Sequence, residues 1–172
     1  MGRMSPETFH HASKRPLVVV LDNIRSMHNV GAIFRTADAL RLQCLLLCGI
    51  TGQPPHAEIH KSALGAEEVV DWIYYKDARE AVQILKDKGY RVWALEQAEG
   101  SVKLPDIKEH ISGNNTPLAL VLGNEVDGVQ QSVIDLCDGA IEIEQYGTKH
   151  SLNVSVAGGI ALWYLSQFIY IK

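Results

Sequence analysis

Apolar runs without polar alternation recur along the chain. Leu17–Asp22 (LVVVLD), Cys44–Ile50 (CLLLCGI) and Leu118–Gly123 (LALVLG) are short and almost uninterrupted, the pattern of strands covered on both faces. VVDWIYY, YRVWAL and GAIEIE predict three more strands. Between them the period changes to that of a helix. From Asn29, the residues Val30, Ile33, Phe34 and Ala37 share one face, with Leu40 near it. DAREAVQILKDKG predicts a helix closed by Gly89, HAEIHKSALGAEE a partly helical segment and VQQSVIDLC a short helix. The last helix, from about Leu152, is apolar on nearly every side, yet its mouth is polar, with Ser151, Asn153 and Ser155. A solvent-facing helix keeps a polar stripe, so this one is expected to be covered all round. Strands alternating with helices predict an α/β domain with a largely parallel sheet flanked by helices. Ligands in such sheets bind beyond the carboxyl ends of the strands, which directs attention to the loops after Asp22, Leu95, Gly123 and Glu144.

Length and composition narrow this further. The 172 residues fit one domain, with 47% hydrophobic and 21% charged residues as in a soluble globular protein. Three cysteines, an odd number, argue against a disulfide framework and for a reducing, cytoplasmic setting. The first 16 residues lack the apolar core of a signal peptide, and the C-terminal helix contains too many small and polar residues to read as a membrane span. The net charge of −4 does not announce a nucleic-acid binder. Residues 1–41 nevertheless carry Arg3, Lys14, Arg15, Arg25, Arg35 and Arg41 against Glu7, Asp22 and Asp38, so a local basic patch is available.

Three loops could carry chemistry. In LDNIRSMHNVGAIFRTAD, Asn29 sits where a helix N-cap belongs and Arg35 follows off the apolar face; a capping Asn and a solvated Arg would account for both. In LVLGNEVDGV a buried strand delivers Gly123, Asn124 and Glu125 into a tight loop closed by Gly128. Glycines there allow close backbone approach, although the spacing is neither that of a dinucleotide fingerprint nor of a P-loop. An ordinary turn with a solvated Glu is the alternative. In SLNVSVAGGI, Ser151 could cap the last helix, with Asn153 at the same end. Cys44 and Cys48 read as core thiols. His56 and His60 have i,i+4 spacing, but no third ligand accompanies them in the sequence and no metal is expected.

Taken together, NVGAIFRTADA, LVLGNEVDGV and SLNVSVAGGI resemble the SPOUT class of S-adenosylmethionine-dependent RNA methyltransferases, in particular the SpoU/TrmH type that methylates ribose 2′-hydroxyls. The likeness spans roughly residues 16–165, and the domain is set at 16–172 behind an extension of residues 1–15. It implies a deep C-terminal trefoil knot, a feature that topology rules disfavour. It further implies S-adenosyl-L-methionine as cofactor, no metal, RNA as partner, and a homodimer whose active site is completed across the interface. The all-apolar last helix would then be covered twice, by its own sheet and by the second copy. Transfer RNA is the first expectation, on the likeness of the compact architecture to tRNA-acting members. Ribosomal RNA, or a non-catalytic RNA-binding protein of the same fold, are the alternatives.

The resemblance also assigns roles. Arg35 would stand at the ribose, as general base or as an anchor for phosphate and developing oxyanion. Asn29 would position Arg35 or the ribose, Glu125 would organise its loop, and Ser151 and Asn153 would fix the catalytic pocket. The cofactor would lie against the backbone near Leu95, Glu96, Leu122, Gly123, Gly128, Ile143 and Leu152. Two departures stand out. Glu144 and Gln145 replace a Pro-Met pair common in the family. Some relatives carry a separate N-terminal RNA-binding domain, and here the segment Met1–Pro16 is the candidate RNA-gripping extension.

Overall fold

The strands are β1 (Arg15–Asp22), β2 (Leu42–Cys48), β3 (Trp72–Tyr75), β4 (Arg91–Leu95), β5 (Val102–Lys103), β6 (Leu118–Leu122) and β7 (Gly139–Glu142). In this computed structural model, which describes residues 4–111, 116–149 and 151–171, they form one sheet in the order β3-β2-β1-β6-β4-β7-β5. Each pairing is parallel. The six strands read from the apolar runs are all present. β5 is two residues long, too short to leave a period.

Alternation along β1 sorts the two cores. Leu17, Val19 and Leu21 face one cluster, which takes in α2 (Met27–Leu40), α3 (Ala57–Ala63) and α7 (Val154–Ser166). Val18 and Val20 face the other, built with α4 (Ala78–Asp87) and α6 (Gln131–Ile134). Because side chains alternate with period two, a fully buried strand must be apolar at every position, which is the pattern of β6. The predicted face of α2 is buried as expected, Val30, Ile33, Phe34 and Ala37 included. Helix α5 (Lys108–Ile111) closes the segment before β6.

The extension contains α1 (Pro6–His11), whose Phe9 is buried in the larger core. Just after it, the Arg15 guanidinium donates to Leu40 O (3.3 Å), to Ser166 O (2.6 Å) and to Ile169 O. These carbonyls close α2 and the C-terminal end of the chain, where acceptors lack intrahelical partners and a cation is favoured. One residue therefore ties the start of the sheet to the end of the last helix.

Within a single chain α7 is covered on one side, by its own sheet and α2. One side is buried through Gly158, Ala161, Leu162 and Leu165, with Gly158 so close to β6 that a Cβ there would lie 2.7 Å from Leu122 Cδ1. The opposite side presents Val156 (51% exposed), Ile160 (42%) and Trp163 (58%). The helix is apolar all round, but a single chain covers only half of it. Among the described residues, no helix is long and apolar enough to cross a membrane.

Candidate active site

The carboxyl ends of β4, β6 and β7 and the start of α7 enclose a cleft of about 460 Å³. Leu95, Glu96, Leu122, Gly123, Gly128, Ile143 and Leu152 all line it, as do Glu125, Ser151 and Asn153. The loop after β6 is folded on itself. Asn124 N–H donates to Gly128 O (3.1 Å), and Gly128 N–H donates back to Asn124 O (2.9 Å). Asn124 Oδ1 accepts from the amides of Val126 (2.9 Å) and Asp127 (3.1 Å), and its Nδ2 donates to Asn23 O (2.8 Å). An Asx turn is what a short polar side chain at this position supplies. A Cβ on Gly123 would lie 2.3 Å from Gly128 C, and Gly128 adopts φ of +67° with the Glu96 carboxylate where a Cβ would stand. Only glycine satisfies both demands.

Glu125 reaches back to the N-terminus of α2. Its Oε2 accepts from Arg25 N–H (2.9 Å), and its Oε1 accepts from Ser26 N–H (3.0 Å) and Asn29 Nδ2 (3.0 Å). Partial burial pushes the Glu125 pKa up, but these three donors outweigh it and hold the carboxyl below its ordinary value of 4.5. Asn29 Oδ1 in turn accepts from Asn153 Nδ2 (3.1 Å). Asn153 Oδ1 accepts from Ser155 N–H (2.9 Å), Ser155 Oγ (2.6 Å) and Val156 N–H (3.3 Å). A continuous chain, Asn153–Asn29–Glu125, thus joins three segments far apart in sequence.

Two capping expectations are corrected. Ser26, not Asn29, caps α2, its Oγ accepting from Asn29 N–H at 3.2 Å. Asn29 is inside the first turn and buried, only 4% exposed, because its amide is needed by Glu125 and Asn153. Asn153, not Ser151, caps α7; Ser151 is exposed at the lip of the cleft. His150, beside it, lies outside the described residues.

Arg35 is apart from the other candidates. It is exposed on α2 and lines a separate groove with His28, Thr36, Lys61 and Ser62. Within one chain, then, Asn29, Glu125, Ser151 and Asn153 converge while Arg35 does not join them.

The charges of the two places are opposite. Glu96, Glu125, Asp127 and Glu142 line the cleft, with no lysine or arginine among its described lining residues. Arg35 and Lys61 line the groove. Asp127 and Glu142 are functional candidates that the sequence reading misses; their signal is only that Asp127 follows β6 by a few residues and Glu142 ends β7. Glu96 holds two loops together, Oε1 accepting from Gln97 N–H (3.0 Å) and Oε2 from Val129 N–H (2.9 Å). Glu144, the departure from the Pro-Met pattern, is turned to Lys103 Nζ at 2.6 Å and does not line the cleft, whereas Gln145 does. The three cysteines are free, and burial pushes each thiol up to about 12, which leaves them inert at neutral pH.

Known proteins share this architecture. The 23S rRNA (guanosine-2′-O-)-methyltransferase RlmB of Vibrio parahaemolyticus is 35% identical over 148 residues, 86% of this chain and 58% of that protein. The chain spans about three fifths of the length of the curated relatives it matches. The TrmH/SpoU tRNA modifying enzyme of A. aeolicus superposes with a TM-score of 0.81 at 27% identity, covering 94% of this chain and 81% of that one. An AdoMet-bound rRNA methyltransferase from Sinorhizobium meliloti gives 0.79 at 25% identity, covering 97% and 61%. Residues 16–163 match the SpoU rRNA Methylase family, and with the knit of β6 loop, α2 and α7 described above the chain belongs to that family.

Proposed function

We propose that this chain is an S-adenosylmethionine-dependent RNA methyltransferase acting on a ribose 2′-hydroxyl, with ribosomal RNA as the first substrate to test and tRNA as the second. The observation that carries the reading is the Asn153–Asn29–Glu125 chain at the lip of an acidic cleft. The residues present fit the cofactor. Leu95, Ile143 and Leu152 offer apolar surface for an adenine, and the carboxylates of Glu96, Glu125 and Glu142 favour a sulfonium cation. When bound, the cofactor supplies an electrophilic methyl carbon.

The chain's own residues must then place a ribose oxygen in line and let its proton leave. Glu125, tied by three donors, fixes the loop and the first turn of α2 against one another. Asn29 is held between Asn153, from which it accepts, and Glu125, to which it donates, so these positions cost no reorganisation during reaction. Arg35 anchors the substrate phosphate and the developing oxyanion, because a guanidinium presents a fixed fork of N–H donors and a permanent positive charge. The acidic cleft repels RNA phosphate, which assigns the RNA backbone to the Arg35 groove.

Arg35 belongs to the site through a second copy of the chain. The uncovered stripe Val156, Ile160, Trp163 on α7 supports this, since α7 packs beside α2 and a two-fold axis through the stripe is self-complementary. The trefoil knot belongs to the same proposal; what supports it is the order β1-β6-β4-β7, in which late strands intercalate with an earlier one. Ribosomal RNA is preferred over the tRNA expected from sequence because the curated relatives are named as 23S rRNA enzymes.

The test is transfer of labelled methyl from S-adenosylmethionine to purified rRNA and tRNA, with calorimetry of cofactor binding alongside. Label in rRNA supports the proposal, and label in tRNA alone moves the substrate. Cofactor binding without transfer to either pool favours a non-catalytic RNA-binding protein.

A further inference from the structure

A second concavity, of about 570 Å³, lies beside edge strand β3 and shares no lining residue with the cleft. Its walls are Pro54, Pro55 and Trp72, and its polar groups are two histidines and two glutamates: His56, His60, Glu67 and Glu68. No lysine or arginine is among its described lining residues. His56 and His60 come from the start and middle of α3, Glu67 and Glu68 from the 3-10 turn Ala66–Glu68. The sequence separates the two pairs by a turn, which is why the spacing of the histidines alone does not indicate a site.

A ring nitrogen of His60 and one carboxylate oxygen from each of Glu67 and Glu68 all lie within 4.8 Å of one another. Glu67 is the fixed member. Its side chain is only 8% exposed, its Oε2 accepts from Gly65 N–H at 3.0 Å, and its Oε1 is hydrogen-bonded to His60 Nδ1. An acceptor held from behind by a backbone amide is how metal-ligating carboxylates are oriented. His56 Nδ1 is occupied by Glu58 N–H at 3.2 Å, which leaves Nε2 as its donor atom. Lys61, the nearest cation in sequence, is drawn to Glu58 at 2.5 Å rather than to these carboxylates.

We infer that this concavity is a structural site for a divalent transition metal of the zinc type, with His60, Glu67 and Glu68 as ligands and His56 at its rim as the fourth donor. One or two imidazoles with two carboxylates suit zinc better than magnesium or calcium, which prefer oxygen alone. Bond lengths of about 2.0–2.2 Å place tetrahedral ligands roughly 3.3–3.6 Å apart. Closure therefore needs a shift of about 1 Å, and the exposed His60 and Glu68 are free to make it around Glu67. The proton shared by His60 and Glu67 passes to solvent as the ion enters. The ion would brace α3 to the following turn. α3 in turn carries Ser62, whose Oγ donates to His28 O at 2.9 Å on α2, so the site would stiffen the wall of the Arg35 groove.

The test is calorimetry of the full chain, stripped with chelator, titrated with zinc sulfate alone, and with cobalt followed by visible absorption. One ion per chain is expected, with a tetrahedral cobalt spectrum and a rise in Tm on zinc addition. Affinity should fall at least tenfold in Glu67→Gln and in His60→Gln, each checked for native circular dichroism, and stay unchanged in the double variant His10→Ala/His11→Ala. Absence of saturable binding below millimolar zinc would overturn the inference. So would binding that survives both ligand substitutions, which would assign the ion elsewhere. The readouts are independent of methyl transfer, so failure here leaves the proposed reaction standing.

Discussion

Asn29 donates to Glu125 and accepts from Asn153, so one amide joins a loop and two helices. Asn29→Asp keeps the shape, removes the donor and sets a second carboxylate against Glu125. Loss of a hydrogen bond to a charged group is worth about 1.5–3 kcal/mol, so transfer should fall ~10- to 100-fold while the fold persists by circular dichroism. Arg35 is exposed and outside its own chain's cleft. Arg35→Ala should therefore leave cofactor binding intact by calorimetry and lower kcat by about two orders of magnitude, as for loss of an oxyanion donor; unchanged kcat refutes its assignment. Glu125 has a depressed pKa, so its contribution is present above the ordinary value of 4.5 and is lost as pH falls through the lower folded value. Glu125→Gln should be less stable at neutral pH and should flatten the dependence of Tm on pH below about 4.5, read by thermal melts across that range.

Loops and helix ends carry the arrangement at the next scale. Glu96 joins the loop after β4 to the loop after β6 through Val129 N–H. Glu96→Ala should raise the cofactor Kd roughly 5- to 30-fold, for about 1–2 kcal/mol lost, with kcat retained at saturating cofactor. Asp22, at the end of β1, is 3% exposed, and its Oδ2 has no hydrogen-bond partner among the described residues. Burial first, then Asp77, push its pKa up, against a lowering hydrogen bond from Gln130. A raised carboxylate costs stability as pH rises above its unfolded value of 3.8. Asp22→Asn should raise Tm at neutral pH and lose that advantage below about pH 4. The elements themselves are legible wherever a period is long enough. β1, β2 and β6 announce themselves as unbroken apolar runs, and α2 through Val30, Ile33, Phe34 and Ala37. The caps are less so, because Ser26 and Asn29, or Ser151 and Asn153, are equivalent by local propensity. Which one caps is decided by Glu125 and by the Asn29–Asn153 bond, contacts about a hundred residues away.

Over the whole molecule, the proposed reaction draws on two surfaces of opposite charge, the cleft and the Arg35 groove, which a second copy would unite. A family likeness carried by three motifs names Asn29 and Arg35 together, and the helical period already sets Arg35 on another side of α2, but which groove it lines depends on Lys61 and Ser62 of α3, far from it in sequence. Glu67 and Glu68 meeting His60 is likewise invisible in spacing, since a turn intervenes. Trp163→Glu together with Ile160→Glu on the exposed stripe of α7 should give a monomer by analytical ultracentrifugation and abolish transfer, with cofactor binding largely kept. A dimer that persists would place the interface elsewhere. Ribosomal RNA labelled by the wild-type chain with S-adenosyl-[methyl-¹⁴C]methionine, digested to nucleosides and separated, should yield the label in a 2′-O-methylnucleoside and none in a methylated base. Label on a base, or no label in RNA despite a filled cofactor site, contradicts the account.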